Sequence, residues 1–146
     1  MIHIDFPEPS LRTRAGEGGR MEVFDVVRRR WVRLTPEEWV RQNMLTWLIG
    51  VKGYPLSLIA VEKTIRLGPL TKKFDILVYD GSHFPWLMVE CKAMDVPMTE
   101  KVLMQVLRYR ISVPAGVLVV TNGIETHALS LESGEAVWLD EWPTRK

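Results

Sequence analysis

The chain contains a single cysteine, Cys91, and three scattered histidines among 146 residues. It can therefore form no internal disulfide and offers no zinc-type ligand spacing. Long apolar runs are missing as well, since no stretch approaches the roughly 20 residues of a membrane helix. Met1 to Arg14 carries acids and prolines where a targeting segment would have basic and then apolar residues, so a cytoplasmic protein with no membrane partner is expected. Charge of one sign is scarce too. A formal net charge of +1 gives no global attraction to a phosphate backbone, and any nucleic-acid contact must come from a local basic surface. There is no P-loop pattern, so nothing here moves DNA by hydrolysing ATP, and there is no internal repeat.

What is present suits one globular domain: 47% of the residues are hydrophobic and 25% charged, enough to bury a single core. Residues 1–20, with Ala15-Gly-Glu-Gly-Gly19, read as an extended arm, and residues 21–146 as the domain. Met21 to Val27 and Trp31 to Leu34 are short β-prone runs around Arg28-Arg-Arg30, a run that reads as a solvated turn or, less simply, as a phosphate contact. Thr35-Pro36-Glu37-Glu38 starts a helix, with Thr35 as cap, Pro36 in the first turn and Glu38 as capping-box partner. The apolar spacing of Val40, Met44, Trp47, Leu48 and Val51 carries that helix to about Gly50 and leaves Arg41, Gln42 and Asn43 largely off the inward face. Leu58 to Ile65 predicts a strand interrupted at Glu62-Lys63, and Gly68 to Lys73 a basic connection. Phe74 to Tyr79 and Trp86 to Cys91 predict two strands joined through Asp80-Gly81. Thr99 caps a second helix to about Ile111, Gly116 to Thr121 is an apolar strand, and His127 to Leu131 with Ala136 to Leu139 form a closing hairpin. The order of helix, three strands, helix and strand, with β additions at both ends, predicts an α/β fold, specifically an α+β mixed sheet covered by helices.

Three residues within this order point to chemistry. Glu90 and Lys92 project from the same face at a strand end, while Val89 and Cys91 point the other way. If the two strands pair as an antiparallel hairpin, the start of one lies beside the end of the other, and Asp75 comes next to Glu90. Magnesium prefers oxygen ligands and is often held by one or two carboxylates plus a substrate phosphate. Asp75 and Glu90 are the candidate ligands, and the backbone carbonyl of Cys91 is a third. Lys92 is then placed to orient water and to offset charge developing on a phosphate. The same three residues also fit ordinary solvated charges at strand ends. The six Trp show no stacking pattern and are read as packing residues. His83 and His127 lack the partners nucleophilic chemistry needs, and Cys91 reads as a small buried apolar side chain.

Phe74-Asp-Ile-Leu-Val-Tyr-Asp80, Val89-Glu-Cys-Lys-Ala93, Gln105-Val-Leu-Arg-Tyr109, Thr121-Asn-Gly123 and Leu34-Thr-Pro-Glu-Glu-Trp-Val-Arg-Gln42 occur in an order that resembles the N-terminal nuclease domain of type I restriction enzyme R subunits, within the PD-(D/E)XK nuclease superfamily. The resemblance covers roughly Phe24 to Trp142. It implies a restriction-endonuclease-like fold and a metal-dependent deoxyribonuclease using Mg²⁺, for which Mn²⁺ can substitute. Asp75, Glu90 and Lys92 match the family's catalytic set, with Phe74 in place of the proline of the superfamily name. Gln105 and Tyr109 match its helical Gln-x-x-x-Tyr pair, and being four apart they face one way, either toward a DNA phosphate or into the core as a buried polar pair. The superfamily also brings a helical acid to the metal. Glu38 is the candidate, with Glu62 as the alternative, and each has an ordinary explanation as a cap or a strand-edge charge. DNA is the implied partner, with a homodimer or partner subunits also open. A non-cleaving nucleic-acid-binding or assembly module, and a repair or junction nuclease, are the alternatives.

Overall fold

The computed structural model describes residues 1–7, 11–110 and 115–145, leaving aside the side chains at 67, 107, 109 and 110. Two sheets are built in chain order. β1 (Thr13–Ala15), β2 (Met21–Asp25) and β3 (Arg30–Arg33) form an antiparallel three-stranded sheet. Part of the expected N-terminal arm is thus a strand, and Ile2 near its start bridges to Thr126 with a 2.8 Å backbone hydrogen bond. The turn between β2 and β3 is closed by Asp25, whose Oδ1 accepts the backbone N–H groups of Val27 and Arg28 at 2.8 Å each, the local bonding that favours Asp in turns.

α1 (Pro36–Thr46) starts as expected: the Thr35 hydroxyl accepts the Glu38 N–H at 3.1 Å, with Pro36 in the first turn. The capping box is only half made. Thr35 N–H goes to the Arg33 carbonyl, and the Glu38 carboxylate turns away to other partners. The last turn widens to π geometry over Trp47–Val51.

The second sheet has six strands in chain order: β4 (Ile59–Leu67), β5 (Leu70–Tyr79), β6 (Pro85–Cys91), β7 (Val117–Thr121), β8 (Thr126–Ser130) and β9 (Val137–Trp138). Among the described strands, only β6 and β7 pair in parallel. The crossover between them contains α2 (Glu100–Arg110), capped by Thr99, whose hydroxyl accepts the Val102 N–H at 3.3 Å. The expected end of that helix at Ile111 lies outside the described residues. This is the mixed α+β order of helix, three strands, helix and strand. One boundary moved: Gly68 to Lys73 is not a connection, because Leu67 pairs with Leu70 and β5 already starts there. The sequence misleads here because Lys72 and Lys73 sit on a hairpin arm that extends beyond the core, where polar side chains stay solvated.

Two hydrophobic clusters flank the sheet. One joins Val40, Met44 and Leu45 of α1, and Leu48 of the π turn that follows it, to Ile76, Val78, Leu87, Val89, Cys91, Val117 and Val119. The other gathers Phe74, Leu77, Met88, Leu118 and Leu129, and Leu103 and Val106 of α2 line a gap against Leu118 and Leu129. Each fully buried side chain of this kind contributes about 1.5–3 kcal/mol. Alternation along a strand should keep Phe74 and Ile76 on one face, yet they belong to opposite clusters. The same break separates Ile59 and Val61 from Ile65. Both strands therefore switch faces at one level of the sheet, at Asp75 and at Glu62. Glu62 has a φ of +52°, a left-handed conformation that a non-glycine residue holds at a cost of about 1–3 kcal/mol.

Candidate active site

The register that pairs Val61 with Ile76 and Lys63 with Phe74 sets Glu62 opposite Asp75, and the register that pairs Ile76 with Val89 sets Asp75 opposite Glu90. Three acids thus lie in a row across β4, β5 and β6, at the level where the sheet switches faces. Asp75 is mid-strand and does not open β5 as expected. It still meets Glu90, because β6 ends there while β5 continues. Asp75 Oδ2 accepts the Cys91 N–H at 2.7 Å, which orients the carboxylate. Lys92, just past β6, is anchored by its N–H to the Thr121 carbonyl at 2.8 Å and holds its Nζ 3.7 Å from Glu90 Oε1. The side chains of Asp75, Glu90 and Lys92 are 24%, 21% and 31% exposed. The predicted trio is therefore brought together, within reach of water.

Behind it lies a buried charge network that the sequence did not disclose. Arg28, expected in a solvated turn, donates from Nε to Asp25 Oδ2 at 2.7 Å and from Nη2 to Glu38 Oε1 at 2.8 Å, with Nη1 3.4 Å from Glu62. Gln42 donates to Asp25 at 2.9 Å and to Glu38 at 3.1 Å. Arg41, Gln42 and Asn43, expected largely off the inward face of α1, are all buried. Their polarity hid them: an apolar-face count cannot see a helix stripe that buries charge against charge. The one available signal was the chain's pairing of Glu38 with Arg41 and Gln42 at helical spacings of three and four.

The electrostatics follow from these partners. Burial works to raise the Asp25 carboxyl, but the bonds from the Arg28 backbone and side chain and from Gln42 outweigh it and hold the group below its ordinary value. Glu62 is also held low, burial being overcome chiefly by the nearby Arg41 guanidinium, then by Lys73 and Arg28. Burial works against the charge on Arg28, but Glu38 and Asp25 reverse the effect and raise it. The Cys91 thiol is pushed well up by burial and by Asp75, so it is inert as a nucleophile.

Glu38 and Glu62 both join the network, Glu38 buried and Glu62 34% exposed. Among the described residues, Gln105 forms no hydrogen bond or ion pair with it. It is exposed in a surface groove lined by Glu100, Lys101, Met104 and Arg108, so the buried-pair reading fails for Gln105. Tyr109 lies on α2, but its side chain is outside the described residues.

A mixed sheet that brings an Asp, a Glu and a Lys to one strand end, with a helix on each face, defines a restriction-endonuclease-like α+β domain. The family described as Type I restriction enzyme R protein N terminus (HSDR_N) matches residues 36–143, and the chain belongs to that family. No curated protein matches. The matched span starts at α1, so β1 to β3, which supply Asp25 and Arg28, precede it. Among the described residues, no helix is long and apolar enough to cross a membrane.

Proposed function

We propose that this chain is a Mg²⁺-dependent deoxyribonuclease of the type I restriction R-subunit kind, hydrolysing phosphodiester bonds in DNA, with Mn²⁺ able to replace Mg²⁺. The observation that carries the proposal is the meeting of Asp75, Glu90 and Lys92 at the partly exposed end of β6. The donor set fits the ion. Two carboxylates and the Cys91 carbonyl are hard oxygen donors, and magnesium is commonly held by one or two carboxylates with water and phosphate completing its shell. Among the described residues, no three His, Cys, Asp or Glu groups are arranged so that together they could hold a metal ion, so protein ligation would rest on those two carboxylates and the Cys91 carbonyl.

When bound, the ion would polarise a phosphoryl oxygen and ease deprotonation of water. The chain's own residues do the rest. The Cys91 N–H holds the Asp75 carboxylate in one orientation. Lys92, tethered at its backbone and close to Glu90, presents a compact positive charge and rotatable donors to a phosphate oxygen or an attacking water. DNA would meet a local basic surface, since the chain as a whole is close to neutral. A cytoplasmic location, and a homodimer or partner subunits that complete a duplex cutter, belong to this reading.

The test is incubation with duplex, single-stranded and branched DNA in Mg²⁺ or Mn²⁺. Cleavage should vanish on chelation, and Lys92→Ala should lower its rate by about 10²–10³-fold, the usual effect of removing one electrostatic contact to the transition state. Equal cleavage by the wild type and Lys92→Ala would sink the mechanism. A second reading, a DNA-binding or assembly module that does not cleave, is favoured by Arg41, which stands 3.7 Å from Asp75 as a built-in counter-charge. Binding to all three DNA forms without cleavage would select it. Cleavage confined to branched DNA would select a junction nuclease.

A further inference from the structure

We infer that Arg41 is the resident cation of this site, filling the place between Glu62 and Asp75 that a second metal ion would need, so that the centre takes one divalent cation per chain, at Asp75 and Glu90. This rests on the metal reading of the Asp75–Glu90 pair and goes beyond it by setting the number of ions and the roles of Glu38 and Glu62.

Arg41 projects from α1 and is only 8% exposed, yet it lies among acids from three elements: Glu38 Oε2 at 3.4 Å, Glu62 Oε1 at 3.3 Å and Asp75 Oδ1 at 3.7 Å. Its Nε and Nη1 atoms are buried and, among the described residues, meet no acceptor in hydrogen-bond geometry. Buried guanidinium donors normally form directed bonds, often bidentate ones. Here charge and the packing of α1 hold the group among three carboxylates without a matched fork, which is how a space-filling counter-ion behaves.

Two-metal phosphodiester centres hold their ions about 3.5–4 Å apart, so both ions crowd around a shared acid. Asp75 is the acid in the middle of the Glu62–Asp75–Glu90 row. Its Oδ2 is engaged by the Cys91 N–H, and its Oδ1 faces Arg41. A second ion on the Glu62 side would have to enter against a buried positive charge. On the Glu90 side the neighbouring cation is Lys92, 31% exposed on a flexible stem, which can move aside. Glu38 and Glu62 are then counter-ions of Arg41 and Arg28, not metal ligands, and the candidates for a helical or strand acid at the metal both drop out.

Mn²⁺ titration of the full chain, read by the electron paramagnetic resonance signal of free ion and by calorimetry, tests this without any DNA. The wild type and Arg41→Lys should bind one Mn²⁺ per chain, and Arg41→Gln, which opens the Glu62–Asp75 side, should bind two. Two ions in the wild type, or one in a folded Arg41→Gln protein, would overturn the inference while leaving the metal reading intact. If Arg41→Gln does not fold, Glu62→Gln decides. It should still bind one Mn²⁺, with affinity lowered less than about tenfold, the lower end of effects from groups outside the ligand shell. Complete loss would make Glu62 a ligand and overturn the inference. No Mn²⁺ bound by the wild type, or equal binding by Asp75→Asn, would overturn the metal reading itself and this inference with it.

Discussion

Asp25 and Asp75 each accept backbone N–H bonds of 2.7–2.8 Å, yet Asp25 is sealed from water and Asp75 is 24% exposed. Asp25 spends its remaining acceptor capacity on Arg28 and Gln42. Among the described residues, Asp75 faces a guanidinium 3.7 Å away and an acid opposite. The difference separates two uses of charge within one cluster. In the network between β2, α1 and β4, acids and bases balance each other's charge and fix how the N-terminal sheet meets the helix. At the end of β6, charges are held in place with partial access to solvent, as a group that must exchange ligands requires.

Breaking the buried side should have the largest effect. Arg28→Met leaves Asp25 without its guanidinium and Glu38 without its 2.8 Å partner, and loss of one member of a buried pair costs about 3–5 kcal/mol. Denaturant unfolding should show a loss of that size, whereas Lys92→Ala should change stability by less than about 1 kcal/mol, as for partly exposed pairs. If both variants unfold at the same denaturant concentration, the two regions do not differ as described.

Acid should sharpen the same contrast. Asp25 and Glu62 are held below their ordinary values in the folded state, so the stability they add is fully present above the unfolded carboxylate range near pH 4. It is lost as pH falls through their lower folded values. Thermal unfolding between about pH 5 and pH 2 should show this decline, with a smaller slope in Asp25→Asn than in the wild type. An unchanged slope would mean that Asp25 titrates alike folded and unfolded. The smallest effect is expected at the helix start, where Thr35→Ala removes the bond to Glu38 N–H and should cost about 1 kcal/mol. A loss several times larger would show that the cap also holds the Glu38 carboxylate in the network.

Much of the fold was legible because its signals are local. Thr35-Pro36 and Thr99 start the two helices, the alternation around Glu90 and Lys92 sets their common face, and the apolar β7 run reads as a buried strand. The Asp75–Glu90 meeting followed from hairpin pairing alone. The start of β5 was missed because a solvated hairpin arm carries lysines, as a loop does. Arg28, Arg41 and Gln42 were missed for another reason: a charged side chain looks solvated in sequence whenever its counter-charge comes from elsewhere in the chain. Glu62 lies 34 residues from Arg28 and 21 from Arg41.

The sequence by itself determined the order of elements from β2 onward, the helix caps and the facing of Glu90 and Lys92, since each depends on neighbours within a few positions. Only the tertiary structure decided which charges lie inside, why β4 and β5 change face at Glu62 and Asp75, and that Arg41 stands among three acids. Those outcomes depend on the packing of α1 against the sheet, where burial makes an unpaired charge so costly that distant residues must be brought together to balance it.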